Sequence, residues 1–456
     1  MVKNNKQSIN EVFSKEQRKV IFEKYSDFGK IDSEKEDEKL SKNDDKNSSL
    51  GIYAKSSPTL EDEAQAKNSI NTKVREIYHS NRIKRYKLIK NARNYLLNFA
   101  RKTNIKTNEL HKLSRTINCK HALNSNSQMV AVDFNSKNAF YTGLQTCGSV
   151  WTCPICAARI TEVRRQEIAT AIDEAYKLGY QSAMITFTFP HKNTMSLEDA
   201  LDKQSKALAL FRKGNVWDTY KKKINFLGLI RALEVTHGSN GWHPHTHELW
   251  FIDPKVNGKA FKAFVLNRWI DCLKKVGLLP QNPSKQQLEA VKKHSVDVKM
   301  NCKASDYIAK ADSSANWGID RELAKAANKG KGKGLHPFEL LAEDTPKNQG
   351  LFIEFVQAIK GKSQLFWSHG LKEKLGINQL TDEEIAENEE DDEEPIHNKQ
   401  IYFTEKEWKL ILNKEYRAQI LNRFELAEDL SKEYKAIIEM ICGKIDEDDV
   451  MKDCPF

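Results

Sequence analysis

Apolar positions are sparse over residues 1–75, where Lys, Asn, Ser, Asp and Glu dominate. Such a stretch buries too little apolar surface to offset the entropy of ordering, so disorder or a frayed helix is expected there. From 76 to about 116 apolar residues recur at helical spacing inside a strongly basic run (REIYHSNRIKRYKLIKNARNYLLNFARK). The stripe predicts a packed helix; its basic face is either solvated surface or a track for phosphates. Ile160, Val163, Ile168, Ala171, Ile172, Ala175 and Tyr176 predict a second helix, stopped at Gly179. Short apolar runs at 183–189 (AMITFTF), 226–235 (FLGLIRALEV) and 246–252 (THELWFI) read as strands, with an amphipathic stretch around 197–222 between the first two. Helical segments near 258–276 and 284–293 follow, and a strand at 295–300 (SVDVKM) leads into a helix carrying Tyr307. The string NKGKGKG around Gly330 reads as a flexible loop. It does not end a GxxxxGK[ST] pattern, so no nucleotide-driven motor is predicted. Further helix is expected around FELLAED and FIEFVQAIKGK, and again at 400–442.

These shifts divide the chain into a weakly ordered region (1–75), a basic helical and cysteine-bearing segment (76–156), a central domain (157–376), an acidic linker (377–399) and a helical tail (400–456). No internal repeat is visible.

Charge sharpens the picture. The net charge is +10, yet the run DEEIAENEEDDEE at 382–394 carries about −10, leaving about +20 on the rest. A surface of that sign attracts polyanions, nucleic acid first among them. The N-terminal residues MVKNNKQSINEVF lack an apolar signal core and no stretch is long enough to span a membrane. A cytoplasmic protein without a membrane partner is expected, with its eight cysteines left as thiols.

Four of those cysteines fall in one window. Cys153-Pro154-Ile155-Cys156 is a CxxC half-site, Cys147 lies just before it, and Cys119-Lys120-His121 lies upstream. Cys119, Cys147, Cys153 and Cys156 suit a closed structural zinc site, with His121 as a substitute ligand. Cys272, Cys302, Cys442 and Cys454 are scattered.

The sharpest chemical feature is Trp242-His243-Pro244-His245-Thr246-His247-Glu248-Leu249-Trp250-Phe251. Alternate residues of a strand share a face, so His245 and His247 project together, and His243 joins them if the strand begins early. The turn HGSNG at 237–241 would fold this strand onto the preceding one and bring Glu234 near. Glu234 and His243 compete as third ligand. Mixed imidazole and carboxylate donors suit Mn²⁺ or Mg²⁺ with open positions, able to polarise a phosphodiester. Downstream, Asp306-Tyr307-Ile308-Ala309-Lys310 puts Tyr307 and Lys310 on one helix face. A phenol there can attack a polarised phosphate and hold the cut strand covalently, with the ammonium placing the phosphate.

Taken together these residues resemble the HUH endonuclease superfamily, and within it the plasmid rolling-circle replication initiators. Met184-Ile185-Thr186-Phe187-Thr188-Phe189-Pro190 is similar to the family's first strand motif, His243–Leu249 to its histidine motif and Tyr307-Ile308-Ala309-Lys310 to its YxxK. CGSVWTCPICAARI (147–160) and AIKGKSQLFWSHGLKEKLG (358–376) resemble flanking segments of one branch, so the likeness covers 117–376. The resemblance implies an α+β fold: a five-stranded antiparallel sheet flanked by helices, the histidine strand central and the tyrosine helix beside it. It implies nicking of origin DNA, bound double-stranded and cut in extruded single-stranded form, giving a 5′-phosphotyrosine and a 3′-OH primer. A host helicase and polymerase are the implied partners, with a homodimer as an option. Lys303 stands where this branch often has the glutamate used in termination, which leaves Asp306, Asp312 or a second subunit for that step. The competing readings are an HUH relaxase or transposase, and a zinc-containing DNA-binding repressor without catalysis.

Overall fold

The structure, a computed structural model, describes residues 60–134, 138–303, 334–387 and 400–443. The described residues begin with helix α1 (Leu60–Lys102), strands β1 (Val130–Phe134) and β2 (Ala139–Thr142), and helix α2 (Pro154–Lys177). Strand β3 (Gln181–Phe187), helices α3 (Leu197–Phe211) and α4 (Asn215–Lys223), and strands β4 (Gly228–Gly238) and β5 (Gly241–Ile252) follow. Then come helices α5 (Gly258–Lys275) and α6 (Lys285–His294), strand β6 (Val296–Met300), helix α7 (Pro346–Ala358) and strand β7 (Leu365–Trp367). Helix α8 (Asp382–Glu387), strand β8 (Ile401–Phe403) and helices α9 (Glu405–Lys414), α10 (Arg417–Leu426) and α11 (Leu430–Cys442) complete the order, short single turns aside.

The fold is mixed α and β with two antiparallel sheets, a five-stranded one ordered β6-β3-β5-β4-β7 and a three-stranded one ordered β2-β1-β8. The histidine strand β5 is the centre of the larger sheet. Strand alternation gives this sheet two apolar faces. Ile185, Phe187, Leu229 and Trp250 meet α3, α4 and α5 on one side. Ile230, Leu249 and Phe251 meet Ile168, Ala171, Ile172 and Ala175 of α2 on the other. Fully buried Trp250 packs edge-on against Phe211, Trp217, Phe226 and Phe261 at centroid distances of 5.3–6.1 Å. Each such aromatic pair adds about 0.5–1.5 kcal/mol beyond burial.

Two details aim the histidine strand. Gly238 pairs with Gly241 across a two-residue turn, and Gly241 adopts φ +85°, which L side chains rarely take. A Cβ at Gly241 would lie 2.9 Å from the Asn193 Cα, so the hairpin tip sits against the chain that follows β3.

The smaller sheet is closed by the C-terminal residues: β8 pairs with β1, and Phe403, Trp408, Ile411, Ile420 and Phe424 share a core with Val130, Val132 and Tyr141. Buried Glu425 ties three elements together. It pairs with Arg82 (2.5 Å) and His79 (2.7 Å) of α1 and accepts the Ala139 amide of β2 (2.7 Å).

The structure adds to the sequence expectations in four places. Helix α1 starts at Leu60, inside the stretch expected to be disorder or frayed helix, and ends at Lys102. Strands β1 and β2 were not predicted, because each is four or five residues long and packs on residues far along the chain. The expected acidic linker at 377–399 contains α8, with Ile385 and Ala386 buried. Its acids find arginines: Asp382 pairs with Arg164 at 2.8 Å and Glu383 with Arg115 at 2.5 Å, contacts that composition does not reveal. The helical tail begins with strand β8. Residues 1–59, most of the first expected region, lie outside the described residues.

Candidate functional site

Register builds the first group of ligands. Glu234 of β4 stands opposite His245 of β5, and His247 is two residues on, so all three project from one face. Glu234 Oε2 lies 2.9 Å from His245 Nε2 and 3.3 Å from His247 Nε2. One ion about 2.1 Å from each of three donors would hold them roughly 3.0–3.4 Å apart, so the spacing fits a divalent cation. Both rings are turned by a contact at the other nitrogen. His247 Nδ1 is 2.9 Å from Thr186 Oγ1 of β3, and His245 Nδ1 is 3.4 Å from the His243 carbonyl. With Nδ1–H donated outward, the Nε2 lone pairs face Glu234, the usual way a protein orients imidazole ligands.

The electrostatics agree. Burial alone would raise the Glu234 carboxyl, but hydrogen bonds to His245 and His247 hold it well below the usual carboxylate range. Burial would lower His245, and the Glu234 carboxylate more than offsets it. Glu234 therefore stays ionised, and a cation held between it and the imidazoles would compete with the proton that its charge draws to His245.

His243, the competing third ligand, stands outside this group. Its ring lies 5.2 Å from that of His245, and its Nδ1 is 3.3 Å from Nδ1 of His191. Burial, then the neighbouring charges of His245 and His191, push it down to about 4. Glu234 joins the two histidines because it sits directly across the hairpin, whereas His243 is one pleat further toward the turn. Thr186 and His191 were not picked out from the sequence. Only Thr186 carried a signal, since alternation in TFTF puts it on the face His247 uses.

Tyr307, Lys310, Asp306 and Asp312 lie outside the described residues. The residues on either side are placed. Cys302 N donates to the Ser182 carbonyl (3.1 Å), at the end of β3 away from the histidines. Leu335 pairs both ways with His237 (2.7 and 2.9 Å), beside the histidine hairpin.

The second group is a cluster of four buried thiols, Cys119, Cys147, Cys153 and Cys156. Their Sγ–Sγ separations are 3.6 Å for Cys119–Cys156 and for Cys153–Cys119, and 3.7 Å for Cys147–Cys156. Four thiolates at about 2.3 Å from one tetrahedral zinc would sit roughly 3.8 Å apart, so the cage is already zinc-sized. Local sequence explains half of it. Cys153 caps α2, Pro154 occupies its first turn and Cys156 follows one turn in, which puts two sulfurs at the positive helix end. Hydrogen bonds from the other three thiols favour the Cys156 thiolate, while burial pushes Cys153 up. A bound cation would let all four ionise. His121 is not among the four; burial pushes it down to about 4, and its carbonyl accepts the Trp408 indole N–H at 2.9 Å.

Comparison with known proteins gives this geometry a context. "Protein rep" of Streptomyces lividans is 28% identical over 297 residues, covering 52% of this chain and 65% of that protein. "Neomycin resistance protein" of Streptomyces cyanogenus is 28% identical over 142 residues, covering 26% of this chain and 32% of that protein. The chain thus spans just under two thirds of the first relative and about one third of the second. No solved structure matches it significantly. The profile of the family described as "Replication protein" matches residues 142–416, from the last residue of β2 to just past α9. That is more than half of the sequence and includes both the CxxC and the carboxylate–imidazole group, so the chain belongs to the Replication protein family.

Proposed function

We propose that this chain initiates plasmid replication by nicking one strand of origin DNA, with Tyr307 as nucleophile, in the manner of the HUH endonucleases. The observation that carries the reading is the Glu234–His245–His247 group on the paired central strands, with each imidazole held through its Nδ1. A Mn²⁺ or Mg²⁺ ion held there would polarise the scissile phosphate and stabilise the charge that develops on its oxygens.

The chain's own residues have the remaining tasks. Glu234, His245 and His247 form the cradle and fix where the phosphate sits. The Tyr307 phenol gives up its proton, its oxygen bonds to phosphorus, and the O3′–P bond breaks as O3′ takes up a proton. The products are a 5′-phosphotyrosine and a 3′-OH that a host polymerase extends, while a host helicase opens the duplex. Lys310 draws the phosphate toward the phenol by charge. Asp306 or Asp312, or the same residues of a second subunit, serve the terminating cleavage. The reading is supported by the described residues on either side of Tyr307 in the sequence: Cys302 is tied to Ser182 of β3 and Leu335 to His237 of β4, both strands of the sheet that carries the histidines. Zinc at the four cysteines has a structural part, joining α2 to the segment that follows α1.

Incubating purified protein with a supercoiled plasmid bearing its origin and Mn²⁺ tests this. Nicked circles with protein attached are expected from the wild type. Tyr307→Phe and Glu234→Ala should each abolish both; nicking that survives Tyr307→Phe removes the mechanism.

A further inference from the structure

On the face of β4 and β5 opposite the metal-ligand group, two arginines lie near one carboxylate, and only one of them is paired with it. Arg231 of β4 stands across from Glu248 of β5, and Arg212 reaches the same place from the C-terminal end of α3. Glu248 is fully buried, and both its oxygens are engaged: Oε1 accepts from Arg212, and Oε2 accepts the Trp250 indole N–H at 2.8 Å. Two cationic groups and one committed carboxylate leave the spot with an excess positive charge.

The donors show where that excess points. Half-buried Arg231 makes no hydrogen bond or ion pair among the described residues; its guanidinium lies 4.9 Å from the centroid of the Phe366 ring. Phe366 is its register partner on edge strand β7 and is 42% exposed, so the stacked pair opens to solvent. Arg212 Nε is buried and has no acceptor. A buried donor without an acceptor is costly and rare in folded proteins, and one beside a second, half-buried guanidinium calls for an anion. Arg268 of α5 is engaged elsewhere, donating to the Phe211 and Lys213 carbonyls at 2.6 and 2.8 Å. An arginine stacked on an aromatic ring keeps its in-plane N–H fork free for a phosphate.

We infer that Arg231 and Arg212, with Phe366, form a second phosphate subsite, which takes a backbone phosphate of a single DNA strand. A DNA strand as the source of the phosphate rests on the nickase reading; the anion site itself does not. Phe366 offers a flat surface for the base next to that phosphate. The subsite lies about 10 Å along β4 from Glu234, three residues away at about 3.3 Å each, but on the other face. A strand held there would pass the β7 edge on its way to the histidines.

The test uses the full-length protein, without added Mn²⁺, so that binding is read apart from cleavage. Affinity for a fluorescein-labelled oligothymidylate is measured by anisotropy over a range of salt. Arg231→Gln should weaken binding about tenfold and reduce the slope of log K against log salt by about 0.7, the share of one phosphate on a single strand. Arg231→Lys keeps the charge but loses the fork, and should fall in between. Lys406→Gln on α9 removes the same charge elsewhere and should leave the slope nearly unchanged. The melting temperature of Arg231→Gln should stay or rise, since the wild-type guanidinium has no acceptor to lose. Unchanged oligothymidylate affinity and slope in Arg231→Gln, together with unchanged stabilisation of that variant by inorganic phosphate, overturn the subsite. Protection by inorganic phosphate or a deoxynucleoside triphosphate, lost in Arg231→Gln while oligothymidylate binding is kept, overturns the DNA strand as its ligand.

Discussion

Removing metal from the four-thiol cluster should unfold the junction between α1, α2 and α7. The cysteines belong to one apolar cluster with Leu88, Ala92 and Leu96 of α1, Ala157 and Ile160 of α2, and Phe352 and Phe355 of α7. All four thiols are buried, and their sulfurs stand at the separations of a zinc tetrahedron rather than bonded to each other. Structural zinc contributes on the order of 10–16 kcal/mol of binding free energy, as much as the total stability of about 5–15 kcal/mol of a typical domain. The apolar contacts at the junction cannot replace a term of that size. The assay is zinc content by elemental analysis, then thermal melting by circular dichroism with and without a strong chelator. One zinc per chain and a large, zinc-reversible fall in melting temperature are expected. Cys153→Ser should reproduce the fall, whereas Cys272→Ala, a buried thiol outside the cluster, should cost only on the order of 1 kcal/mol. A zinc-free protein that melts at the same temperature as its chelated form, or a silent Cys153→Ser, refutes the argument.

Thr186→Val deletes the hydroxyl that turns the His247 ring, and should weaken Mn²⁺ binding by roughly 10- to 100-fold in calorimetric titration; undiminished affinity would mean the contact does not orient the ligand. Glu425→Ala leaves buried Arg82 without its carboxylate, and urea unfolding should show a loss of about 3–5 kcal/mol; a loss under 1 kcal/mol would contradict the network. Gly241→Ala forces a Cβ against the Asn193 backbone at positive φ, and should both destabilise the protein and weaken Mn²⁺ binding by moving the hairpin tip. If Gly241→Ala binds Mn²⁺ as tightly as wild type, the tip does not aim the histidines.

The central sheet was legible in the sequence because its strands carry strong local patterns. AMITFTF, FLGLIRALEV and THELWFI became β3, β4 and most of β5, and the HGSNG turn predicted the hairpin that sets Glu234 against His245. Cys153 and Cys156 were legible because CxxC at a helix start is a local geometry. What could not be read depends on partners distant in the chain. β1 is completed by β8, some 270 residues later, and α8 is held by arginines of α2 and the segment before it. The choice between Glu234 and His243 needed the register, which fixes which side chain lies directly across from His245. His191 enters the site through the chain after β3, where no periodicity constrains it.

The most direct test of the account is to find which side chain carries the DNA. Single-stranded origin DNA is incubated with the protein and Mn²⁺, the mixture is digested, and the nucleotide-bearing peptide is identified by mass spectrometry. The account predicts a 5′-phosphotyrosyl linkage on Tyr307 that disappears in Glu234→Ala. An adduct on another residue, or one that forms equally well in Glu234→Ala, contradicts it.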